Sequence, residues 1–383
     1  MDFGKTEEQE LLLESLREAY KQADLDTYLK ECDQKHVYPE KAVQVMVDNG
    51  FHLIGVPEKY GGVGADLTTQ LMVCEEGARL GFPTFCWPNS TLEIEDILAF
   101  GNEEQQNLII DIAKTGRKSF TLGFTEPQAG SDNGAMASTA THKNGKVYIN
   151  GHKTFNTSAD IAPYMLCMVR NYKNEIASKD MSMWLVPLNS PGITIKPLSK
   201  IGHWTTNTCE VYLDNVELEE SALVGKEGNG FFQLMKNFEV ERLMSTAGMI
   251  GMAQAAYDES VRYAGQRIQF GKTIGSFQLI QKKVVDMRIK LENMRNMVYH
   301  YAWDVESGRS IMISSALAKL HTAQAGFEVI DDAMQILGGI GYTNDCKTSR
   351  LWRDSRVYRI MAGTDEIMYH VAGRGLIKEM QNK

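Results

Sequence analysis

At 383 residues the chain exceeds what one hydrophobic core usually organises, so two or three cores are expected, packed as one body. Hydrophobic residues at 43% and charged residues at 23%, with no run of 18 apolar positions, fit a folded globular enzyme and exclude a membrane span. The net charge of −9 gives no electrostatic reason to bind nucleic acid or an acidic membrane, and six scattered cysteines without a C-x-x-C pair argue against a zinc site or a disulfide framework.

The opening Met-Asp-Phe-Gly-Lys lacks the basic start and apolar core of a signal peptide, so a cytoplasmic protein is expected. The first third reads as helices. Glu7 to Tyr20 carries Leu11, Leu12, Leu13 and Leu16 on one broad face, Pro39 to Asn49 starts with Pro and stops at Gly50, and helical spacing resumes around Leu67–Leu80 and Glu103–Lys114. From about Ser119 the period falls to two. Lys146–Asn150 lies between the turn dipeptides Asn144-Gly145 and Asn150-Gly151, and Tyr164–Val169, Met181–Val186, Ile193–Pro197 and Glu210–Leu218 read as further strands. After Gly230 helical spacing returns in long segments: Phe231–Arg267, Gln278–Ser307, a third from near Ser310, and Thr364–Met380. The expected fold is α+β, with an all-helical part over 1–117, an antiparallel β-barrel or sandwich over 118–230, and a helical bundle over 231–383.

Several motifs fail on inspection. Neither Gly61-Gly62-Val63-Gly64 nor Gly338-Gly339-Ile340-Gly341 completes a dinucleotide fingerprint between a strand and a helix, and Gly265 to Gly271-Lys272-Thr273 misses a phosphate loop by one residue. No histidine pair has metal-ligand spacing, and there is no G-x-S-x-G elbow.

Four segments are informative together: Phe124-Thr125-Glu126-Pro127-Gln128-Ala129-Gly130-Ser131-Asp132, Gln266-Arg267-Ile268-Gln269-Phe270-Gly271-Lys272, Gln335-Ile336-Leu337-Gly338-Gly339-Ile340-Gly341-Tyr342, and Arg353-Asp354. In order and spacing they resemble the signatures of the acyl-CoA dehydrogenase family, and the resemblance covers essentially the whole chain. It implies a helical domain, a β domain and a four-helix bundle, assembled as a homotetramer. FAD is implied between the β domain and the bundle of one subunit, with its adenine end reaching a neighbour. Carried over residue by residue, Thr125 and Ser131 fall at flavin and pyrophosphate contacts, and Phe155 and Thr157 beside the isoalloxazine ring. Arg267, Phe270, Gln278, Gln335 and Gly339 fall at neighbour-subunit contacts to pyrophosphate and adenine, and Thr364 and Glu366 on the loop along the cofactor. Gln128 stands where the motif usually has Gly, which leaves the shape of that loop open.

Removing a proton from the α-carbon of a thioester requires a positioned base, with hydrogen-bond donors at the thioester oxygen. Many family members carry a base glutamate just before the Gly-Thr of the last cofactor loop. Here that position is Ala362. A second branch supplies the base from the first helix of the bundle, at a position that falls on Glu241 here. The resemblance therefore assigns Glu241 as base and the backbone N–H of Ala362 to the thioester carbonyl; Arg242, next to the base, is expected at the substrate pocket either as a structural residue or to hold its electrostatics. Within the family, Glu31-Cys32-Asp33, Val37-Tyr38-Pro39-Glu40, Phe277-Gln278-Leu279-Ile280-Gln281 and Gly363-Thr364-Asp365-Glu366 resemble the branch that reduces crotonobetainyl-CoA. That likeness implies an acyl-CoA or enoyl-CoA substrate and an electron-transfer flavoprotein as partner. The alternatives are a short- or branched-chain acyl-CoA dehydrogenase of fatty-acid or amino-acid breakdown, and a non-catalytic FAD- and acyl-CoA-binding protein.

Overall fold

The computed structural model describes residues 4–87 and 91–381. The opening Met-Asp-Phe, part of the localisation reading, lies outside them. The N-terminal part holds α1 Glu7–Gln22, α2 Leu25–Lys35, α3 Glu40–Asp48, α4 Leu67–Leu80, α5 Thr91–Phe100 and α6 Glu103–Lys114. Thr6 and Asn102 close capping boxes with Gln9 and Gln105, satisfying the first free amides of α1 and α6. Sequence spacing finds four of these helices and misses α2 and α5. In α2 only Leu25, Leu29, Cys32 and Asp33 are buried, a stripe too narrow to stand out from a polar segment.

The middle part contains β1 Phe120–Gly123, β2 Thr139–Lys143, β3 Lys146–Thr157, β4 Tyr164–Arg170, β5 Met181–Pro187, β6 Ile193–Pro197, β7 Thr208–Leu218 and β8 Leu223–Val224. They form one sheet in the order β6-β7-β3-β2-β4-β5-β8, with β1 beside β4. The expectation of a purely antiparallel sheet is corrected at two pairings, both with β4. β1 runs parallel to β4 from Phe120↔Tyr164 to Gly123↔Cys167, and β2 meets β4 in parallel at Thr139↔Arg170. A parallel pair needs a long crossover, and the excursion through residues 124–163, which includes the β2–β3 hairpin, supplies it. β4 is buried on both faces: Met165, Cys167 and Val169 point into one core, Leu166 and Met168 into a second shared with α5 and α6.

The C-terminal part is built on α7 Gly230–Gln266, a helix of 37 residues. After it come a short hairpin of β9 Ile268–Gln269 and β10 Lys272–Thr273, then α8 Gln278–Glu306, α9 Met312–Leu337, α10 Lys347–Ser355 and α11 Asp365–Gln381. α9 packs on α7, α8 and α11. Where α4 crosses α7 the backbones touch, because a Cβ on Gly251 would lie 2.1 Å from the Glu75 carbonyl. The Arg353-Asp354 motif ties the three parts together. Asp354 accepts from the amide of His203 at 2.5 Å in the β part, and Arg353 donates to Asp33 of α2 at 2.6 Å.

Candidate active site

The first motif loop is anchored from below by a buried ion pair. Lys153 of β3 is fully buried and its Nζ donates to Glu126 Oε1 at 2.7 Å. Glu126 also accepts from the amides of Ala137 and Ser138 and from the Gln128 side chain at 2.6 Å. Gln128, the departure from the family pattern, thus becomes a strut of its own loop. The amide of Thr154 donates to the Thr125 carbonyl at 2.9 Å, which sets Thr125 against β3.

A β-bulge lies where β3 pairs with β7 between Lys153↔Val211 and Asn156↔Cys209. It turns Phe155 outward, at φ 60° and 65% exposed, while Asn156 is held inside by donating to the Cys209 carbonyl at 3.1 Å. Thr157 follows, its carbonyl accepting from the Thr121 hydroxyl at 2.7 Å. The fold therefore gathers Thr125, Phe155 and Thr157 at one end of the sheet. Ser131 is exposed on the same loop as Thr125.

Glu241 is half-buried on α7 and Arg242 beside it is buried. Burial lowers the pKa of Arg242, and the neighbouring charges of Glu241 and Glu239 oppose that shift. The second half of the site is the loop before α11. Ala362 and Gly363 take φ of 53° and 92°, two left-handed residues in succession that turn the chain sharply. Lys319 of α9, only 2% exposed, donates to the Gly363 carbonyl at 2.5 Å. Lys319 also feels the charges of Asp365, Arg242 and Glu366, so α7, α9 and this loop meet at one electrostatic centre. Thr364 caps α11, its hydroxyl accepting from the Ile367 amide and its carbonyl from Met368. Exposed Glu366 follows in the first turn.

The remaining assigned residues lie elsewhere on the chain. Arg267, Phe270, Gln278, Gln335 and Gly339 are all exposed. Phe270 and Gly271, both at positive φ, form the two-residue turn between β9 and β10 and hold the Phe270 ring 93% exposed. Glu241 and Arg267, the C-cap of α7, are 26 positions apart, about 39 Å at helical rise, so one chain cannot bring both sets to one reacting centre. Exposed Ile268, Leu279, Ile340 and Tyr342 surround the second set with apolar surface. These observations fit a dinucleotide: a flat apolar wall and short hydroxyls at one place, and an arginine with exposed aromatic surface at another.

The reading of residues alone misses the buried Lys153–Glu126 pair, Lys319, and a cavity of about 310 Å³ between α5 and α7 lined by Val56, Pro57, Ile94, Glu95, Leu98 and Asn237. The signal for Lys153 is its parity, since it shares the inward side of β3 with Val147 and Ile149. No tryptophan or tyrosine lines that cavity among the described residues: Trp204 stacks on His36, Trp87 packs edge-on to Phe82, and Tyr369 is 60% exposed.

Family models for the N-terminal, middle and C-terminal domains of acyl-CoA dehydrogenases match residues 6–113, 121–216 and 228–377. The chain is 48% identical to a probable acyl-CoA dehydrogenase, YdiO, of Escherichia coli strain K12 over the full length of both. Among solved structures it is similar to butyryl-CoA dehydrogenase from Megasphaera elsdenii, at 28% identity and TM-score 0.91, covering 98% of this chain and 100% of that one. It is also similar to a chain solved in work on the electron transferring flavoprotein of Acidaminococcus fermentans, at 32% identity and TM-score 0.92, with coverage of 98% and 100%. The protein belongs to the acyl-CoA dehydrogenase family, FAD-dependent oxidoreductases acting on CH–CH bonds.

Proposed function

We propose that the protein moves hydrogen across the Cα–Cβ bond of an acyl-CoA thioester with Glu241 as the proton-transferring residue. The observation that carries this reading is the exchange of an α7 glutamate for the Ala362 side chain at a loop whose backbone is held in place. Glu241 takes the α-proton in oxidation and returns it in enoyl-CoA reduction. The Ala362 amide donates to the thioester oxygen, a role that needs no side chain, and Arg242 holds the local charge balance. FAD, when bound, supplies the hydride acceptor or donor. Thr125, Ser131, Phe155, Thr157, Thr364 and Glu366 hold it in one subunit, and Arg267, Phe270, Gln278, Gln335 and Gly339 reach it from the next.

Within this reading we place the enzyme with the reductases of crotonobetainyl-CoA, exchanging electrons with an electron-transfer flavoprotein in the cytoplasm, and divide its domains at 117/118 and 230/231. The test is the visible spectrum of the purified protein and its change on anaerobic addition of butyryl-CoA, 4-(trimethylammonio)butyryl-CoA or isovaleryl-CoA. Loss of yellow colour with one of them supports the reading, and a colourless protein overturns it.

Two further outcomes are expected. The exposed apolar surface around Phe270 and Tyr342 should be covered in a homotetramer of about 170 kDa, four times the 43.0 kDa chain, by light scattering. Phe270→Glu should shift that mass downward. Lys319→Met should slow thioester-dependent bleaching about tenfold, because the Gly363 carbonyl loses a charge-assisted hydrogen bond. Burial pulls the Lys319 pKa down from 10.5 to about 8. The unfolded chain therefore holds more protons than the native one between those values, so this group makes the native state gain stability as pH rises across the window. Urea midpoints at pH 7.5 and 9.5 should show a rise in wild type that Lys319→Met diminishes.

A further inference from the structure

The loop that carries the Ala362 amide runs from Ile360 to Thr364, between the 3₁₀ turn Arg356–Arg359 and α11. Backbone bonds fix its entry: the amides of Ile360 and Met361 both donate to the Val357 carbonyl, at 2.8 and 2.9 Å. The Ala362 amide, one residue on, donates to no backbone carbonyl among the described residues. The direction of that N–H is therefore set by the dihedral angles of the loop. Ala362 sits at φ 53°, a left-handed conformation uncommon for any residue but glycine, whereas Gly363 at φ 92° meets no such obstacle. A loop free to relax would leave this shape, and strain of this kind persists only where the surroundings over-determine it.

The surroundings supply two ties. Lys319 of α9 holds the Gly363 carbonyl. The other tie closes the loop on itself. Arg359, the last residue before the loop, donates through Nε to Oδ2 of Asp365, the first residue after it, at 2.7 Å. Gln324 of α9 donates to the same oxygen at 3.1 Å, so the closed ring is also pinned to the bundle. The Arg359 side chain is 37% exposed but that of Asp365 only 6%, so water screens the contact on one side alone. Asp365 serves the first tie as well, because its charge opposes the burial that pulls the Lys319 pKa down. A carboxylate in the first turn of α11 also favours the helix itself, but that role needs neither Arg359 nor Gln324, and Glu366 beside it performs it too.

We propose that Arg359 and Asp365 form a clamp that keeps the 360–364 loop in its strained shape and so aims the Ala362 amide at the thioester oxygen. Both are positioning residues, acting through the backbone between them. The proposal rests on the dehydrogenase reading above and adds to it what holds the amide in place.

The test compares FAD-loaded wild type with Asp365→Asn, Arg359→Met and Arg359→Lys. Bleaching by the fastest of the three thioesters named above should slow about tenfold in the first two variants and only about twofold in Arg359→Lys, which keeps the charge. S-butyl-CoA, a thioether without the carbonyl oxygen, should bind all four proteins about equally, since it makes no use of the amide. Bound 3-oxobutanoyl-CoA reports the amide directly, because its enolate gives a long-wavelength band with the flavin and forms at lower pH when the oxygen has an aimed donor. Removing the Asp365 charge would by itself ease enolate formation, whereas a misaimed amide hinders it. The midpoint pH of the band should therefore rise by about one unit in Asp365→Asn, a tenfold loss of oxyanion stabilisation. Adding Ala362→Gly to Asp365→Asn should return part of the lost rate, because glycine takes a left-handed φ without strain.

A midpoint that stays or falls in Asp365→Asn overturns the clamp, and bleaching of wild type then leaves the dehydrogenase reading standing. S-butyl-CoA binding that weakens in step with the rate, unrelieved by Ala362→Gly, also overturns it, since the pair then supports the fold alone. If no thioester bleaches wild type and 3-oxobutanoyl-CoA gives no band, the dehydrogenase reading falls and takes the clamp with it.

Discussion

Glu241→Gln should bind FAD as wild type does and keep its yellow colour, but lose bleaching by acyl-CoA at a rate roughly 10²- to 10⁴-fold below wild type. The amide has the size of the carboxylate and does not accept the α-proton. Thioester binding should persist, visible as a perturbed flavin spectrum without reduction, which separates loss of the base from loss of the pocket. The position of Ala362 offers an internal control. The sequence resemblance places the other branch's base at this position, so Glu241→Gln combined with Ala362→Glu should regain part of the lost rate. In a wild-type background Ala362→Glu should instead depress activity, because two carboxylates in one poorly solvated site cannot both stay ionised. Full bleaching by Glu241→Gln at wild-type rate would remove Glu241 from the mechanism. It would turn attention to Glu239, half-buried on the same helix, whose carboxyl burial holds above its ordinary value.

Much of this architecture was legible because local and global signals agree. Leu67–Leu80 and Glu103–Lys114 carry cap residues at one or both ends, so their limits in the chain and in the structure coincide. The period-two strands were found one by one, but the parallel pairing of β1 with β4 was not, since the direction of a strand depends on a path of forty residues and leaves no local mark. The family motifs name candidate residues only where such motifs exist, and are silent about their surroundings. Lys319 looks like any lysine in Ala-Lys-Leu-His, yet its surroundings on three helices bury it. Asp96 lies on α5, which the spacing does not find, and is 5% exposed beside Asn237 and Glu241 of α7. Both are charges whose meaning comes from tertiary neighbours, which no spacing rule reports.

Glu126→Gln and Lys153→Met should each lower stability by about 3–5 kcal/mol, because each leaves the other member of a nearly dry ion pair uncompensated. Together they should cost clearly less than the sum, since the double substitution strands no charge. Burial works against ionisation of Glu126, but Lys153 and the amides of Ser138 and Ala137 outweigh it and hold the carboxyl below its usual 4.5. The pair's contribution is therefore complete above about pH 4.5 and is lost as pH falls through the lowered native value. The sharper expectation concerns the cofactor. Glu126 is the post on which the loop from Thr125 to Ser131 is folded, through Gln128, Ala137 and Ser138, and Lys153 adds a weaker contact to the Phe124 carbonyl at 3.5 Å. Loosening that post frees Thr125 and Ser131 from the positions a flavin would find them in. Both single variants should lose FAD on gel filtration, read as the ratio of absorbance at ~450 nm to that of the protein, and added FAD should recover urea stability in proportion to its occupancy. A destabilised variant that keeps its flavin would show that the pair supports the sheet alone, and that the loop holds its shape through the Thr154–Thr125 backbone bond without it.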